Sequence, residues 1–522
     1  MAETVTLGSI ANLKTGPFGT QFSASEYSAT GTPILNVKSI GHGVVLRDDL
    51  DYVPDSVRDR LAAHTLVEGD IVFARKGSVD RHAYVSANEA GWIQGSDCIR
   101  VQCKHGVNSR FISHWLKLDA VKEQVNNSAV GSTMASLNTD ILAGIHVRLP
   151  DPETQNAVAA FLSRVEDQVA LNTQINDNLQ AMLQTLYGYW FLQFNFPDEN
   201  GRPYRASGGR MVWNSQLKRE IPAGWRVASL VSNPLCEPLK PGVAPFSEKT
   251  YLATADVVGT TIKDGSRIRY ETREGRANME PVLHSVWFAK MKGSVKHLFL
   301  NEACASLISE TILSTGFVGL KCEPVAFEYI ASFIASEQFE PLKDLHAHGA
   351  TQQAVNNTDL ENILLPIPDA ETLRRFSQLA SSTLSRFNAS IVENKRLQEL
   401  RDWLLPMLMN GQATVASSDK LSFCVDRTTT LPADNAQCKV QFDAMLYLLT
   451  ESPRINLRGY MRTSSSGLTE RRRKVRWCID SSDQNDDPLA KSYFAVLPRE
   501  IRSRAHTPTH CSHVSIATST LS

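Results

Sequence analysis

Two short stretches of the chain place cationic and hydroxyl side chains directly after a predicted buried strand. The first follows Gly69–Ala74 and the second follows Val286–Ala289. Arginine and lysine can hold phosphates or pair with guanine, and serine and histidine can donate further hydrogen bonds, so these residues suit contact with nucleic acid. A solvated loop would have the same composition. The candidate contact residues are Arg75, Lys76, Ser78, Arg81 and His82 in the first stretch, and Lys290, Lys292, Ser294, Lys296 and His297 in the second.

The sequence contains no recognisable motif of an enzyme active site. It lacks a GxxxxGK[ST] phosphate loop, an HExxH zinc motif, a GxSxG nucleophile turn and a strand followed by GxGxxG. It also lacks the Asn/Asp-Pro-Pro-aromatic motif with which amino-methylating enzymes hold a flipped adenine. We therefore predict a chain with no catalytic residues, no metal site and no cofactor of its own.

Composition indicates an ordinary globular protein with no basic excess. The net charge is −1, and hydrophobic residues make up 42% of the chain. A protein that binds DNA alone usually has a basic excess, so here the cations must be grouped on one face or a partner must hold much of the phosphate backbone. No apolar run is long enough for a membrane span, the N-terminus has no secretory pattern, and the nine cysteines form no CxxC pair. We expect a reducing cytoplasm.

Two long helices are predicted, one at 149–195 and one at 367–411. Each begins with Pro-Asp, a combination that can cap a helix, and each then follows a heptad-like apolar spacing. Such a helix is made to lie along another helix, and the partner is in the same chain. The predicted packing positions are Val158, Leu162, Val165, Val169, Leu179, Leu183 and Leu186 in the first helix, and Phe387, Ile391, Leu397, Leu400 and Leu404 in the second. Asn172 and Asn176 fall on the same seam.

Short matches in constant order indicate that the chain is an internal repeat. Pro150-Asp151 and Glu153-Thr154 return 218 residues later as Pro368-Asp369 and Glu371-Thr372. The same offset relates Gly131, Thr133 and Asn138 to Gly349, Thr351 and Asn356. At a nearly equal offset of 293 − 77 = 216 residues, Gly77-Ser78-Val79 returns as Gly293-Ser294-Val295. We infer two copies of one unit, a globular part followed by a long helix.

The predicted fold class is α+β, with two mixed α/β globular domains in tandem. The boundaries are residues 1–148 for the first domain, 149–195 for its helix, 196–225 for a connector rich in turn residues, 226–366 for the second domain and 367–411 for its helix. Residues 412–522 belong to neither copy. They are rich in serine and threonine and show little periodicity, so we expect an atypical tail with little order.

This arrangement resembles the specificity subunit of type I restriction–modification systems. The resemblance depends on Gly69–Arg75 with the Gly77-Ser78 loop, on Leu149-Pro150 leading through Gln155 into the first helix, and on a series of motifs further along the chain. These are Tyr204 with Ser207-Gly208-Gly209, Ile221-Pro222-x-Gly224-Trp225, and Leu400-Arg401-x-x-Leu404-Leu405-Pro406-x-Leu408-Met409-x-Gly411. Together they cover nearly all of residues 1–412, and the tail departs from the family pattern.

The resemblance implies two target-recognition domains, each for one half of a bipartite DNA sequence. It implies that the helices pair as an antiparallel coiled coil, set the spacing and dock two methyltransferase subunits. S-adenosylmethionine is then expected on those partners, and ATP and magnesium on the motor-nuclease subunits of a cleaving complex. Two alternatives stay open: a stand-alone methyltransferase or nuclease with an unrecognised active site, and a scaffold that binds only proteins.

Overall fold

The computed structural model describes residues 2–18, 21–130, 135–263, 265–350 and 352–415, and a strand at 423–425. The predicted tail at 412–522 therefore falls almost entirely outside the described residues, as do Gly131, Thr133 and Thr351 of the repeat. Within the described part of the chain, no helix is both long enough and apolar enough to cross a membrane.

The first globular region is built of short strands and helices between residues 3 and 149. A four-stranded antiparallel sheet has the order β2-β8-β5-β6, a mixed sheet has the order β4-β3-β7, and β1 pairs with β9 to join the two ends of the region. The bounds are β1 Glu3–Thr6, α1 Leu7–Ile10, β2 Ala11–Thr15, β3 Thr32–Leu35, β4 Asp51–Val53, α2 Asp55–Arg60, β5 Ile71–Ala74, β6 His82–Tyr84, β7 Ile93–Gln94, β8 Cys98–Cys103, α3 Ser109–Trp115, α4 Asp119–Ser128, α5 Thr139–Ala143 and β9 His146–Leu149.

The second globular region, with a connecting hairpin before it, spans residues 211–367. The hairpin is β10 Met211–Asn214 with β11 Arg219–Pro222. The other bounds are β12 Arg226–Ser229, β13 Cys236–Pro238, β14 Lys249–Leu252, β15 Val257–Val258, β16 Thr261–Ile262, β17 Ser266–Ile268, β18 Ala277–Met279, β19 Ser285–Ala289, β20 His297–Leu300, α7 Ala305–Glu310, β21 Thr311–Ser314, β22 Phe317–Cys322, α8 Phe327–Ile334, α9 Phe339–Leu345, α10 Asn357–Leu360 and β23 Leu364–Ile367.

Strand order in the second region follows that of the first. Its antiparallel sheet has the order β13-β22-β19-β20, its mixed sheet has the order β17-β14-β21-β18 with β14 and β21 parallel, and β12 pairs with β23 across the ends of the region. In both regions the central antiparallel strand, β5 or β19, is wholly buried. Asn138 and Asn356 each accept a backbone hydrogen bond at the start of the helix that precedes the closing strand.

Each region is followed by a long helix with the same N-terminal cap. The helices are α6, Pro152–Tyr187, and α11, Ala370–Met409, after which β24 Ala413–Val415 pairs with β25 Phe423–Val425. Asp151 accepts from the backbone N–H and hydroxyl of Thr154 at 2.9 and 2.8 Å, and Asp369 accepts from Thr372 at 2.9 and 2.7 Å. A π-helical turn, Gly188–Leu192, extends α6. The predicted spans 149–195 and 367–411 contain these helices and extend a few residues beyond each end.

The two long helices lie side by side and run in opposite directions. Arg148 donates to the carbonyl of Asn410 at 2.6 Å near one end, and the rings of Trp190 and Phe376 are 5.6 Å apart near the other. All twelve predicted packing positions are buried or half-buried. At the Trp190 end, aromatic side chains of the π-helical turn, α8 and α11 join the core of the second region.

Candidate nucleic-acid interface

The first cationic stretch forms the loop Arg75–Arg81 between β5 and β6. Its backbone is held from two sides, because Arg75 donates its N–H to the carbonyl of Asp97 at 2.8 Å while its own carbonyl accepts from Leu137 at 2.9 Å. Gly77 donates to the carbonyl of Ala135 at 3.0 Å. The loop is therefore a fixed platform, with its side chains displayed from a paired backbone.

Side chains of this first loop are only partly free to meet a ligand. Lys76 is exposed and forms an ion pair with Asp97 at 3.0 Å. Arg81 donates to the hydroxyl of Ser78 at 2.6 Å, and Arg75 is half-buried. A phosphate that binds here must compete with Asp97 for Lys76, whereas Arg81 and Ser78 can act as a joined donor pair.

His82 does not lie in this loop, which corrects its assignment as a contact residue. It is the first residue of β6, is 1% exposed, and its Nε2 lies 3.0 Å from the carbonyl and 3.1 Å from the hydroxyl of Ser113. Burial lowers the pKa of His82 to about 3, so the ring is neutral near pH 7. In this structure it packs the loop's base onto α3 and offers no surface to DNA.

The second cationic stretch, Lys290–Lys296, forms a loop at the corresponding place between β19 and β20. Lys290 donates its N–H to the carbonyl of Gly316 at 2.9 Å and accepts from Val355 at 3.0 Å. Lys292 donates to the carbonyl of Gln353 at 2.9 Å. Both loops are thus supported by a neighbouring strand turn and by the segment before the next short helix, in the same arrangement.

Among the cations of this second loop, Lys292 is the most open. It is exposed, whereas Lys290 and Lys296 are half-buried. Burial lowers the pKa of Lys290, and the ammonium of Lys296 donates to the carbonyl of Thr254. Ser294 is half-buried, and its carbonyl accepts from Lys343. Lys292 is therefore the candidate of this loop that is placed most directly for a phosphate.

His297, like His82, is a strand residue and not a loop residue, and its assignment as a contact is corrected in the same way. It begins β20, is buried, and its Nε2 is 2.8 Å from Oε1 of Glu340. The histidines at the ends of both stretches follow the cations closely in sequence. In a strand, however, neighbouring side chains point to opposite faces, and these two point inwards.

Lys343 on α9 supports the second loop from below and was not a candidate from sequence. It is fully buried, and its ammonium donates to the carbonyls of Ala289 and Ser294 at 3.2 and 3.3 Å and to Glu340 at 2.5 Å. The adjacent carboxylate of Asp344 accepts the N–H of Gly293 at 3.0 Å. These bonds tie both ends of the loop and its turn to one helix. Nothing in the sequence distinguishes Lys343 from an exposed helical lysine.

One further arginine, Arg276, adjoins the second loop through its backbone and was also missed from the sequence. The carbonyl of Arg276 accepts from Thr315 at 2.9 Å, next to the Gly316 that holds Lys290. Arg267, Arg269 and Arg276 are exposed, and Arg273 stacks 4.0 Å above the ring of Tyr270. The signal in the sequence was the group of four arginines between residues 267 and 276.

The described residues also hold a buried charge cluster where the first region meets α6. Glu166 of α6 forms ion pairs with Lys117 and, at 3.2 Å, with Arg110, and the neutral ring of His114 lies 3.7 Å from its carboxylate. Burial favours a raised pKa for Glu166, but these cationic neighbours outweigh it and the net pKa is lowered. The cluster fixes the first region, and with it the Arg75–Arg81 loop, onto the long helix.

Comparison with known proteins gives consistent matches. Residues 2–181 match the family model of the type I restriction modification DNA specificity domain. The chain is similar to the type I restriction enzyme MjaIX specificity subunit of Methanocaldococcus jannaschii, with 24% identity over 60% of this chain and 71% of that protein. It is also similar to the HindI specificity subunit of Haemophilus influenzae, with 22% identity over 54% of this chain and 72% of that protein.

Solved structures include a match of the same kind. The crystal structure of the type I restriction–modification S subunit from M. genitalium aligns over 78% of this chain and 96% of that chain. The identity is 12% and the TM-score is 0.46.

Proposed function

Because this chain belongs to the specificity subunits of type I restriction–modification systems, we propose that its two globular regions each recognise one half of a bipartite DNA sequence. The observation that carries the proposal is the repeated loop. In each region a buried central strand leads into a cationic loop. The backbone of each loop is held by equivalent neighbours, which are a turn before the next sheet strand and the segment before the next short helix. Two equivalent cationic platforms in one chain suit a target with two separate parts.

The long helices act in this proposal as an antiparallel coiled coil that sets the spacing between the two half-sites. A helix of 40 residues such as α11 is about 60 Å long, since each residue adds about 1.5 Å. The opposed direction of α6 and α11 supports this role, because each helix then leads away from its own region. The gap in the DNA target would follow from helix length.

Chemistry in this proposal belongs to partner subunits, and this chain is the non-catalytic recognition subunit. Two methyltransferase subunits would dock along the helices and carry S-adenosylmethionine. Motor-nuclease subunits would bring ATP and magnesium to a complex that also cleaves DNA. The net charge of −1 supports shared DNA contact, because this chain alone has no cationic excess with which to hold a long phosphate backbone.

Mapping of methylated adenine in cells tests the proposed function. Cells carry this chain with its neighbouring methyltransferase, and single-molecule sequencing reports every modified motif. A matched strain lacks only this chain. We expect a motif of two short sequences separated by a fixed gap, present in the first strain and lost in the second.

Methylation that persists unchanged without this chain would contradict the proposal. Two further measurements then separate the alternatives. Methyl transfer or DNA cleavage by the purified chain alone would indicate a stand-alone enzyme. Failure to bind DNA even with the methyltransferase present would indicate a scaffold that contacts only proteins.

A further inference from the structure

Two free cysteines of the second region face each other across neighbouring strands. Cys236 begins the edge strand β13, Cys322 ends β22, and the strand register makes them direct antiparallel partners. Both are buried, with 5% of each residue exposed. Cys98 and Cys103 pair instead with Ala74 and Ala11 in the register of the first region's sheet.

Backbone hydrogen bonds show which kind of antiparallel pair the two cysteines form. Glu323 donates to the carbonyl of Leu235 at 2.9 Å, and Leu239 donates to the carbonyl of Gly319 at 2.8 Å. The residue pair next to the cysteines, Leu235 with Glu323, is therefore hydrogen-bonded. Cys322 donates its own N–H away from β13, to the carbonyl of His284 at 2.8 Å. Cys236 and Cys322 are a non-hydrogen-bonded pair.

In an antiparallel sheet, the two Cα atoms of a non-hydrogen-bonded pair lie closer together than those of a hydrogen-bonded pair. The Cα atoms of a non-hydrogen-bonded antiparallel pair lie about 4.5 Å apart, which is within the range of about 4.4–6.8 Å that a disulfide spans. The register therefore places the two backbones at a separation that a disulfide can span. We propose that Cys236 and Cys322 are a reversible oxidation site, which closes to a cross-strand disulfide when the protein meets a hydroperoxide.

The surroundings of the pair assign a role to each sulfur. The side-chain amide of Asn233 donates to Sγ of Cys236 at 3.5 Å, whereas the Cys322 thiol donates to the carbonyl of Leu320 at 3.8 Å. The interaction between the two neighbouring thiols and the Asn233 amide both lower the pKa of Cys236, whereas that interaction and burial raise the pKa of Cys322. Cys236 is therefore the attacking sulfur and Cys322 the resolving one.

The reaction balances with a hydroperoxide as the sole oxidant. The Cys236 thiolate attacks the peroxide oxygen, the O–O bond breaks, and a sulfenic acid forms while water or an alcohol leaves. The Cys322 sulfur then attacks the Cys236 sulfur, the S–O bond breaks, and the proton of the Cys322 thiol leaves with the hydroxide as water. Two electrons pass from the two sulfurs to the peroxide. A dithiol reductant reverses the change.

A disulfide here would join the edge strand to the sheet that carries the Lys290–Lys296 loop. β22 lies between β13 and β19, and β19 leads into that loop. The bond would close a long segment of chain, so it should raise the melting temperature of the protein by roughly 5 °C.

Peptide mapping of the full chain tests this site. The reduced protein is treated with increasing hydrogen peroxide, remaining thiols are alkylated, and the digest is analysed without reductant. We expect one linked peptide containing Cys236 and Cys322, which disappears on treatment with dithiothreitol, together with the rise in melting temperature. The proposal would be overturned if Cys236 and Cys322 are both recovered alkylated, and therefore unoxidised, at peroxide doses that oxidise Cys103.

Two variants keep the test independent of folding effects. Cys322→Ala should leave a Cys236 sulfenic acid that dimedone traps, with circular dichroism used to check that the fold is retained. Ala11→Cys should create the same non-hydrogen-bonded pair with Cys103 in the first region, because Lys104 donates to the carbonyl of Ile10 at 2.9 Å beside it. A linked peptide in Ala11→Cys at 11 and 103, with none at 236 and 322, would also overturn the proposal.

Discussion

Asn172 of α6 donates its side-chain amide to Oδ1 of Asn394 of α11 at 2.9 Å, and both residues are buried between the two long helices. Asn394 returns a longer bond to the carbonyl of Val169 at 3.4 Å, and Gln168 donates to Oδ1 of Asn172 at 3.0 Å. An amide pair in an apolar seam is satisfied only when its two members meet. The pair therefore selects one register of the helices.

Removal of one amide should destabilise the protein more than removal of both. In Asn172→Leu, Oδ1 of Asn394 loses its partner while it stays buried, which should cost about 1–3 kcal/mol of unfolding free energy. In Asn172→Leu with Asn394→Leu, neither buried amide remains and the half-buried Gln168 and Glu393 can bond water, so much of that loss should be recovered. Urea unfolding of the unchanged protein, Asn172→Leu, Asn394→Leu and the double variant gives the coupling energy. Additive effects would show that the two amides act independently.

Lys292 should contribute a phosphate contact that Lys321, at the far end of the same sheet, does not. Lys321 is also exposed but lies at the opposite end of β22 from the loop, so Lys321→Ala is a matched loss of one charge. In the assembled complex, Lys292→Ala should weaken DNA binding and reduce the slope of log affinity against log salt by about 1. Fluorescence anisotropy at several salt concentrations measures both. Equal slopes for the two variants would exclude Lys292 as a phosphate contact.

Lys343 should affect DNA binding without touching DNA. Lys343→Met removes the donor to the carbonyls of Ala289 and Ser294 and leaves Glu340 with His297 alone. Loss of one partner of a buried ion pair should cost about 3–5 kcal/mol of unfolding free energy. We expect weaker binding in the same anisotropy series with an unchanged salt slope. A reduced slope like that of Lys292→Ala would instead place the Lys343 charge near the phosphates.

Local signals in the sequence predicted the elements of this protein well. The Asp151 and Asp369 caps depend on a hydroxyl residue three positions later, and the strands before both cationic loops are continuous apolar runs. Asn172 and Asn176 are polar residues at positions that are otherwise apolar in the heptad pattern, so the sequence also identified them, and both are buried between the helices. Each of these signals is contained within a few neighbouring residues.

Long-range packing determined what the sequence did not reveal. His82 and His297 looked like loop residues because the loop ends are set by the strand pairing of His82 with Phe73 and of His297 with Phe288, not by local composition. Lys343 became part of the second loop's support only when α9 packed under a turn about 50 residues earlier. The sequence around a charged residue on a short helix contains no pattern that predicts a bond to a loop distant in the chain.

Two buried histidines should make the first region sensitive to mild acid. Burial lowers the pKa of both His82 and His114 to about 3, whereas an unfolded histidine titrates near 6.5. The unfolded state therefore binds more protons than the folded state below pH 6.5, and stability falls from that pH downwards. At pH 5 each ring should cost about 2 kcal/mol of unfolding free energy. Glu166, Lys117 and Arg110 face His114, and Lys117 and His42 lie near His82.

Glutamine at both positions removes the titration, and at position 82 it keeps an amide to bond Ser113. Urea unfolding of His82→Gln with His114→Gln between pH 7 and pH 5 should show a flatter profile than that of the unchanged protein, by about 4 kcal/mol over the range. His105 is exposed, so His105→Gln should leave the profile unchanged. The pH range of the measurement ends above pH 4.5 because the pKa of Glu166 is lowered in the folded protein. Protonation of Glu166 at lower pH would therefore add a further loss of stability. Parallel profiles for the double variant and the unchanged protein would show that the two rings are charged in the folded state.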